Sequence, residues 1–290
     1  MSVTVTAASA TATAAAVVAL APGVSAAPLT PTPPQIQYAY TFNTAPGDTV
    51  VSNLQPLTGT GYDLHLSATY GAGVPGLPAS AGGGTTAVLF SGTGAPGYAG
   101  GAGSRGSTTA APGNVYASSA VSVGVVFATA LPIPIPATLR DSPNVMQSGM
   151  YKSTGQVKVQ VGKDKRANCR FKGSVNGARG ANPAPFSRSA SPVVADNAWH
   201  TVVCTKGPDT ARGTKLTLTV DGVSFSGTVA TVGTLDLTGN LLQVATNSPT
   251  NAETSDQFFG TLDGLVWAVA GSDTDSMSAV SSYVPGLLTP

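Results

Sequence analysis

The 290-residue chain carries 14 Lys and Arg against 13 Asp and Glu, and its net charge of +1 gives no global attraction to nucleic acid or to an anionic membrane. Charged residues make up 9%, far below the roughly 25% of ordinary soluble proteins, so polarity rests on Ser, Thr, Asn and Gln, which suit sheet surfaces and turns. The 35 Gly and 22 Pro stay below the disordered range, and the length suits one large β domain with a buried core.

In chain order, residues 1–26 hold no charged side chain, contain the small apolar run Ala14 to Ala21 and end in Val24-Ser25-Ala26. This pattern predicts a signal peptide cleaved near Ala26 and a secreted, extracellular product. Residues 27–34, with four prolines, read as a stiff linker. The folded domain is expected over 35–271, with 272–290 as a C-terminal tail. No later segment reaches the ~18 apolar residues of a membrane span.

The clearest strands are Val157-Lys158-Val159-Gln160-Val161 and Leu216-Thr217-Leu218-Thr219-Val220, where apolar and polar residues alternate. The second runs through Asp221-Gly222 into Val223-Ser224-Phe225, the Asp-Gly signature of a type I′ hairpin. Further strands are predicted at 36–42, 62–69, 86–91, 121–130, 200–206, 241–246 and 258–269. The Gly-, Ala- and Ser-rich tract from Gly71 to Asn114 reads as long surface loops broken by 86–91. No segment shows a helical stripe. The expectation is therefore an all-β fold, a two-sheet antiparallel sandwich.

In an oxidising compartment the two cysteines, Cys169 and Cys204, are expected to pair and close a loop of about 36 residues. Nine of the 14 basic residues fall between 152 and 188, with Asp164 the one acid among them. Such a segment reads either as the solvated face of two strands and their loop or as an anion patch formed by Lys163, Lys165, Arg166, Arg170 and Lys172, suited to an acidic polysaccharide.

Chemical motifs are few. Glycoside hydrolysis by paired carboxylates needs two acids flanking the scissile bond, and this chain has a single Glu, Glu253. The Gly-rich runs 92–97 and 101–106 match the dinucleotide fingerprint in letters, but no helical pattern follows and no acid appears before Asp141. No Gly-x-Ser-x-Gly elbow is present. His200, Cys204 and Cys169 suggest a zinc corner only if the sulfurs are unpaired, and a fourth ligand is lacking. His200 reads better as a packed, hydrogen-bonded strand residue, and Trp199 and Trp267 as packing residues.

Taken in order, Tyr40-Thr41-Phe42-Asn43, Gly61-Tyr62-Asp63-Leu64, Ala87-Val88-Leu89-Phe90, Trp199-His200-Thr201-Val202, Leu218-Thr219-Val220-Asp221-Gly222 and Phe259-Gly260-Thr261-Leu262-Asp263 resemble the laminin G-like branch of the concanavalin A-like lectin/glucanase superfamily, in its secreted bacterial form. The resemblance implies a two-sheet jelly roll and a role in adhesion or recognition. It also places candidate calcium ligands at Asn43 and Asp263. The chain departs from the family pattern at Gly264, where an acidic residue is usual, and in 121–130, which lacks a Trp. The expected function is a non-catalytic, lectin-like module that recognises a glycan or cell-surface polymer. The alternative is a structural or adhesion protein that binds an extracellular protein.

Overall fold

The structure is a computed structural model that describes residues 34–42, 50–54, 62–66, 88–90, 106–129, 143–150, 152–176, 178–179, 186–246, 258 and 260–288, the last five and the strands at 88–90 and 178–179 by backbone alone. The chain divides into Met1–Thr30 and Pro31–Pro290. All described residues lie in the second unit, so the signal-peptide expectation falls outside them.

Two antiparallel sheets face one another. The first contains β1 (Gln35–Tyr40), β4 (Val88–Phe90), β6 (Ala120–Ala128), β12 (Trp199–Thr210), β13 (Gly213–Val220), β14 (Val223–Val229) and β16 (Gly260–Ala270). Its order is β1-β16-β6-β12-β13-β14, with β4 paired to the start of β16. The second contains β2 (Val50–Val51), β3 (Leu64–Leu66), β5 (Gly106–Ser107), β7 (Asn144–Ser148), β8 (Gln156–Val161), β9 (Ala167–Lys172) and β15 (Leu242–Val244). Here the order is β2-β3-β5-β15-β7-β8-β9. A separate two-stranded pair, β10 (Ser174–Val175) and β11 (Ala178–Arg179), follows β9.

Alternation along each strand sends one set of side chains between the sheets. Val157, Val159 and Val161 of β8 and Cys169 and Phe171 of β9 meet Val121, Val123 and Val125 of β6 and Leu216, Leu218 and Val220 of β13 in one buried cluster. Trp267 of β16 lies fully inside it, its ring edge-on to Tyr38 at 6.3 Å. Asp221 and Gly222 both take positive φ, 49° and 82°, as the type I′ turn between β13 and β14 requires.

The cysteines are joined as expected, with Cα atoms 5.7 Å apart. Because Cys169 lies on β9 and Cys204 on β12, the bond ties one sheet to the other. Strand β12 carries His200, Val202, Cys204 and Lys206 on its core side, so a titratable group stands toward each end and the disulfide between them.

The tail expected at 272–290 is corrected: α1 (Asp273–Leu288) is a helix. Ser272 caps it, its Oγ accepting the Asp275 N–H at 3.1 Å and donating to the Asp275 carboxylate at 2.8 Å. Val280, Ala279 and Tyr283 cover Ala39, Val126, Val203, Val266 and Ala268 on the outer face of the first sheet. The stripe escapes the sequence because it is built of small residues, with Ser276 completing it through a 2.9 Å bond to Ser122. The short strands β2, β5 and β7 were likewise not legible, and β5 interrupts the tract read as loops.

Candidate functional site

The outer face of the second sheet carries the site. On β8 and β9 the core side is apolar, and the opposite side presents Gln156, Lys158 and Gln160 next to Lys172, Arg170 and Asn168, directly paired strand to strand. The row continues through register: Lys158 faces Gln147 of β7, Gln147 faces Gln243 of β15, Gln243 faces Ser107 of β5, and Ser107 faces His65 of β3. Leu64, Leu66, Leu242 and Val244 point the other way into the core, which fixes the polarity of this face. A Cβ on Gly106 would come within 2.9 Å of Leu64, so the core side of β5 is closed and only Ser107 faces outward.

A polar row on the outside of a sheet is ordinary; burial of that row is not. Gln156, Lys158, Gln160, Asn168, Lys172, Gln147 and Gln243 are all buried, and His65 at one end is exposed while Arg170 at the other is half-buried. Some contacts are internal: the Asn144 amide donates to Gln147 at 3.1 Å, Gln156 to the Gly149 carbonyl at 3.3 Å, and Lys172 Nζ to the Ser153 carbonyl at 2.9 Å. Yet among the described residues the side-chain oxygens of Asn144, Gln156, Gln160, Asn168 and Gln243, and Nε of Arg170, have no hydrogen-bond partner. Each stranded buried group costs about 1–3 kcal/mol. Six on a single face concentrate unmet hydrogen-bonding capacity there.

The predicted anion patch divides. Lys163 and Lys165 stand in the turn between β8 and β9, where Asp164 accepts the Arg166 N–H at 3.2 Å. Arg166, Arg170 and Lys172 alternate along β9 and its approach, on the outer face. The picture of one solvated face is thereby corrected for Lys158 and Lys172, which are 6% and 1% exposed.

For calcium, Asn43 lies outside the described residues. Asp263 is buried in β16 beside the register shift at Leu262/Gly264. No group of three or more His, Cys, Asp or Glu placed to hold a metal occurs among the described residues.

His200 is a hydrogen-bonded strand residue, not a zinc ligand. Its Nδ1 meets Asp221 at 2.7 Å and its Nε2 meets Asp196 at 2.9 Å, while both sulfurs of the supposed corner are consumed by the disulfide. Trp199 is partly buried against the cluster on the outer face of the first sheet, and Trp267 lies in the core.

Both ring nitrogens can donate only when the imidazole is protonated. Burial opposes the charge, but the hydrogen bonds that His200 donates to Asp221 and then Asp196 prevail and hold it above its ordinary 6.5. Burial likewise opposes the Asp196 charge, and the His200 bond and the Ala198 N–H outweigh it, leaving the carboxyl below its ordinary 3.8. A raised His pKa stabilises below about 6.5 and that support is lost as pH rises through the folded-state value; a lowered Asp pKa stabilises above its ordinary value and is lost on acidification. Unfolding midpoints in urea are therefore expected to pass through a maximum between about pH 4 and 6.5. His200→Gln should flatten that profile; an unchanged profile would remove the clamp.

No protein-family model matches the chain, and no curated protein matches it. Among solved structures it is similar to an endo-1,3-β-glucanase from Streptomyces sioyaensis, 12% identical over 84% of this chain and 99% of that one, with a TM-score of 0.41. A native heptameric SAP-like pentraxin from Limulus polyphemus is 11% identical over 61% and 72%, with a TM-score of 0.40. Domains LG4-5 of the mouse laminin alpha1 chain are 18% identical over 53% of this chain and 36% of that one, with a TM-score of 0.33. At such identity the likeness is one of fold, and no residue role passes across.

Proposed function

We propose that the chain is a secreted, non-catalytic, lectin-like module that holds a glycan or cell-surface polymer against the outer face of the second sheet. The observation that carries the reading is the concentration of unpartnered amide oxygens on that face among the described residues. Amide oxygens accept and amide nitrogens donate, which suits hydroxyl groups that do both. Sites for small ligands draw orientation and specificity from a few such placed polar groups.

The single Glu of the chain, Glu253, supports a reading without paired-glutamate glycoside hydrolysis. The disulfide supports an oxidising compartment, and no helix among the described residues is long and apolar enough to cross a membrane.

A glycan array tests the reading. Saturable binding that free sugar competes away is the expected result, with no release of reducing ends from the bound polymers. Silence on the array together with capture of an extracellular protein would instead favour the adhesion reading.

A further inference from the structure

We propose that the free edge of β14 is a strand-pairing surface for a second copy of this chain, joined antiparallel about a two-fold axis at Ser226, and that Arg188 is the guard that keeps this edge closed. The inference is independent of the glycan reading and concerns the other sheet.

Strand β14 ends the first sheet, and its seven residues, Val223–Val229, include no charge and no proline. Register with β13 decides which of its backbone groups are free. Val220 and Val223 flank the two-residue turn as a hydrogen-bonded pair, so alternation along the ladder turns the N–H and C=O of Ser224, Ser226 and Thr228 away from β13. Every residue of β14 is exposed or half-buried, and Val223 is 54% exposed. Such an edge is a template for another strand unless something covers it.

One side chain does so. The segment that lies along β9, bridged to it at Cys169–Phe186 and Arg166–Val193, brings Arg188 to β14. The Arg188 guanidinium stands 4.4 Å over the Phe186 ring centroid and donates to the Ser226 carbonyl at 3.1 Å. Gly227 admits it, because a Cβ there would collide with that guanidinium. No carboxylate among the described residues pairs with Arg188, so one carbonyl and one ring face hold the guard.

The occupant follows from symmetry. Residues 224, 226 and 228 are evenly spaced about Ser226, so a second β14 running antiparallel sets Ser226 against Ser226 and Ser224 against Thr228, each pair exchanging both hydrogen bonds. In the same register Phe225 of one copy falls opposite Gly227 of the other and Val223 opposite Val229, with no like charges meeting along the strands. An aromatic ring laid over an edge glycine fills the gap that the missing side chain leaves. The Arg188 guanidinium now occupies that gap, so guard and second copy exclude each other.

Light scattering after size exclusion, over a wide range of concentration, tests this on the full chain. Arg188→Ser is expected to dimerise about ten- to hundredfold more tightly than the wild type, the worth of one hydrogen bond to a charged group. Thr228→Pro removes an outward N–H and spares the ladder to β13, so Arg188→Ser combined with Thr228→Pro should return to the wild-type state. Thermal unfolding of each variant verifies that it is folded. Should Arg188→Ser fail to fold, Phe186→Leu carries the test, since it keeps the arginine and removes the ring beneath it, with a smaller gain expected. A folded guard variant that associates no more than the wild type overturns the proposal. So does a dimer that Thr228→Pro leaves intact, or a monomeric Arg188→Ser that takes up an unrelated extended peptide at this edge in place of its own copy.

Discussion

Replacing Cys169 and Cys204 together by serine is expected to lower the unfolding free energy by about 3–4 kcal/mol. The bond closes a loop with a sequence separation of 35, and a crosslink of that span removes chain entropy from the unfolded state. For a domain of this size the loss shifts the melting temperature on the order of 10 °C. Its position adds a consequence that loop length alone does not carry. Strand β9 is the last strand of its sheet and β12 is central to the other, so the bond holds the edge that bears Arg170 and Lys172 against the middle of the facing layer. Calorimetric scans of the serine double variant check this, and an unchanged transition would show that the two layers need no staple.

Lys206→Met is expected to cost about 3–5 kcal/mol. The ammonium is fully buried and donates to the carbonyls of Gly207, Ser119 and Ala117 at 3.0, 3.2 and 3.4 Å. Its carboxylate neighbour is Asp209, 3.5 Å away. Burial depresses the lysine below its ordinary range, and Asp209 opposes that depression. Methionine fills the volume but strands the carbonyls and leaves Asp209 with one cation fewer. Asp209 also accepts the hydroxyl of Thr214 and the N–H of Gly233 at 2.8 Å, so the damage should spread to the start of β13 and the segment after β14. Chemical denaturation measures the loss, and a variant as stable as the parent would show that the buried charge is dispensable.

What the sequence disclosed was whatever rests on local alternation or on a covalent constraint. Strands β8 and β13 announce themselves because valines and leucines alternate with Lys, Gln and Thr, and the Asp221-Gly222 turn fixes the pairing of β13 with β14. The disulfide follows from two cysteines and an expected export route. Helix α1 was hidden because its buried side is Ser, Ala and Val, too weakly apolar to show a period of 3.6. Strand β7, Asn144–Ser148, is buried on both faces, so no alternation marks it.

The candidate site was legible only in part. The basic content of 152–188 was visible, but a linear count does not separate the turn cations Lys163 and Lys165 from the outer-face cations Arg170 and Lys172. Nor does it show that Gln243, Gln147 and Lys158 stand in one row, since that row draws on strands almost a hundred residues apart and is created by register. The alternation of Lys158 and Gln160 with three valines marks a half-buried strand, but burial of its polar side is a tertiary fact.

Hydrogen–deuterium exchange with and without a saturating glycan from the array bears most directly on the outer face of the second sheet as the recognition surface. Slowed exchange should appear on β7, β8, β9 and β15, strongest near Gln147, Lys158 and Arg170, with β13 and β14 of the opposite sheet unchanged. Protection confined to β13, β14 or α1, with β8 and β9 exchanging at their free rate, would contradict it.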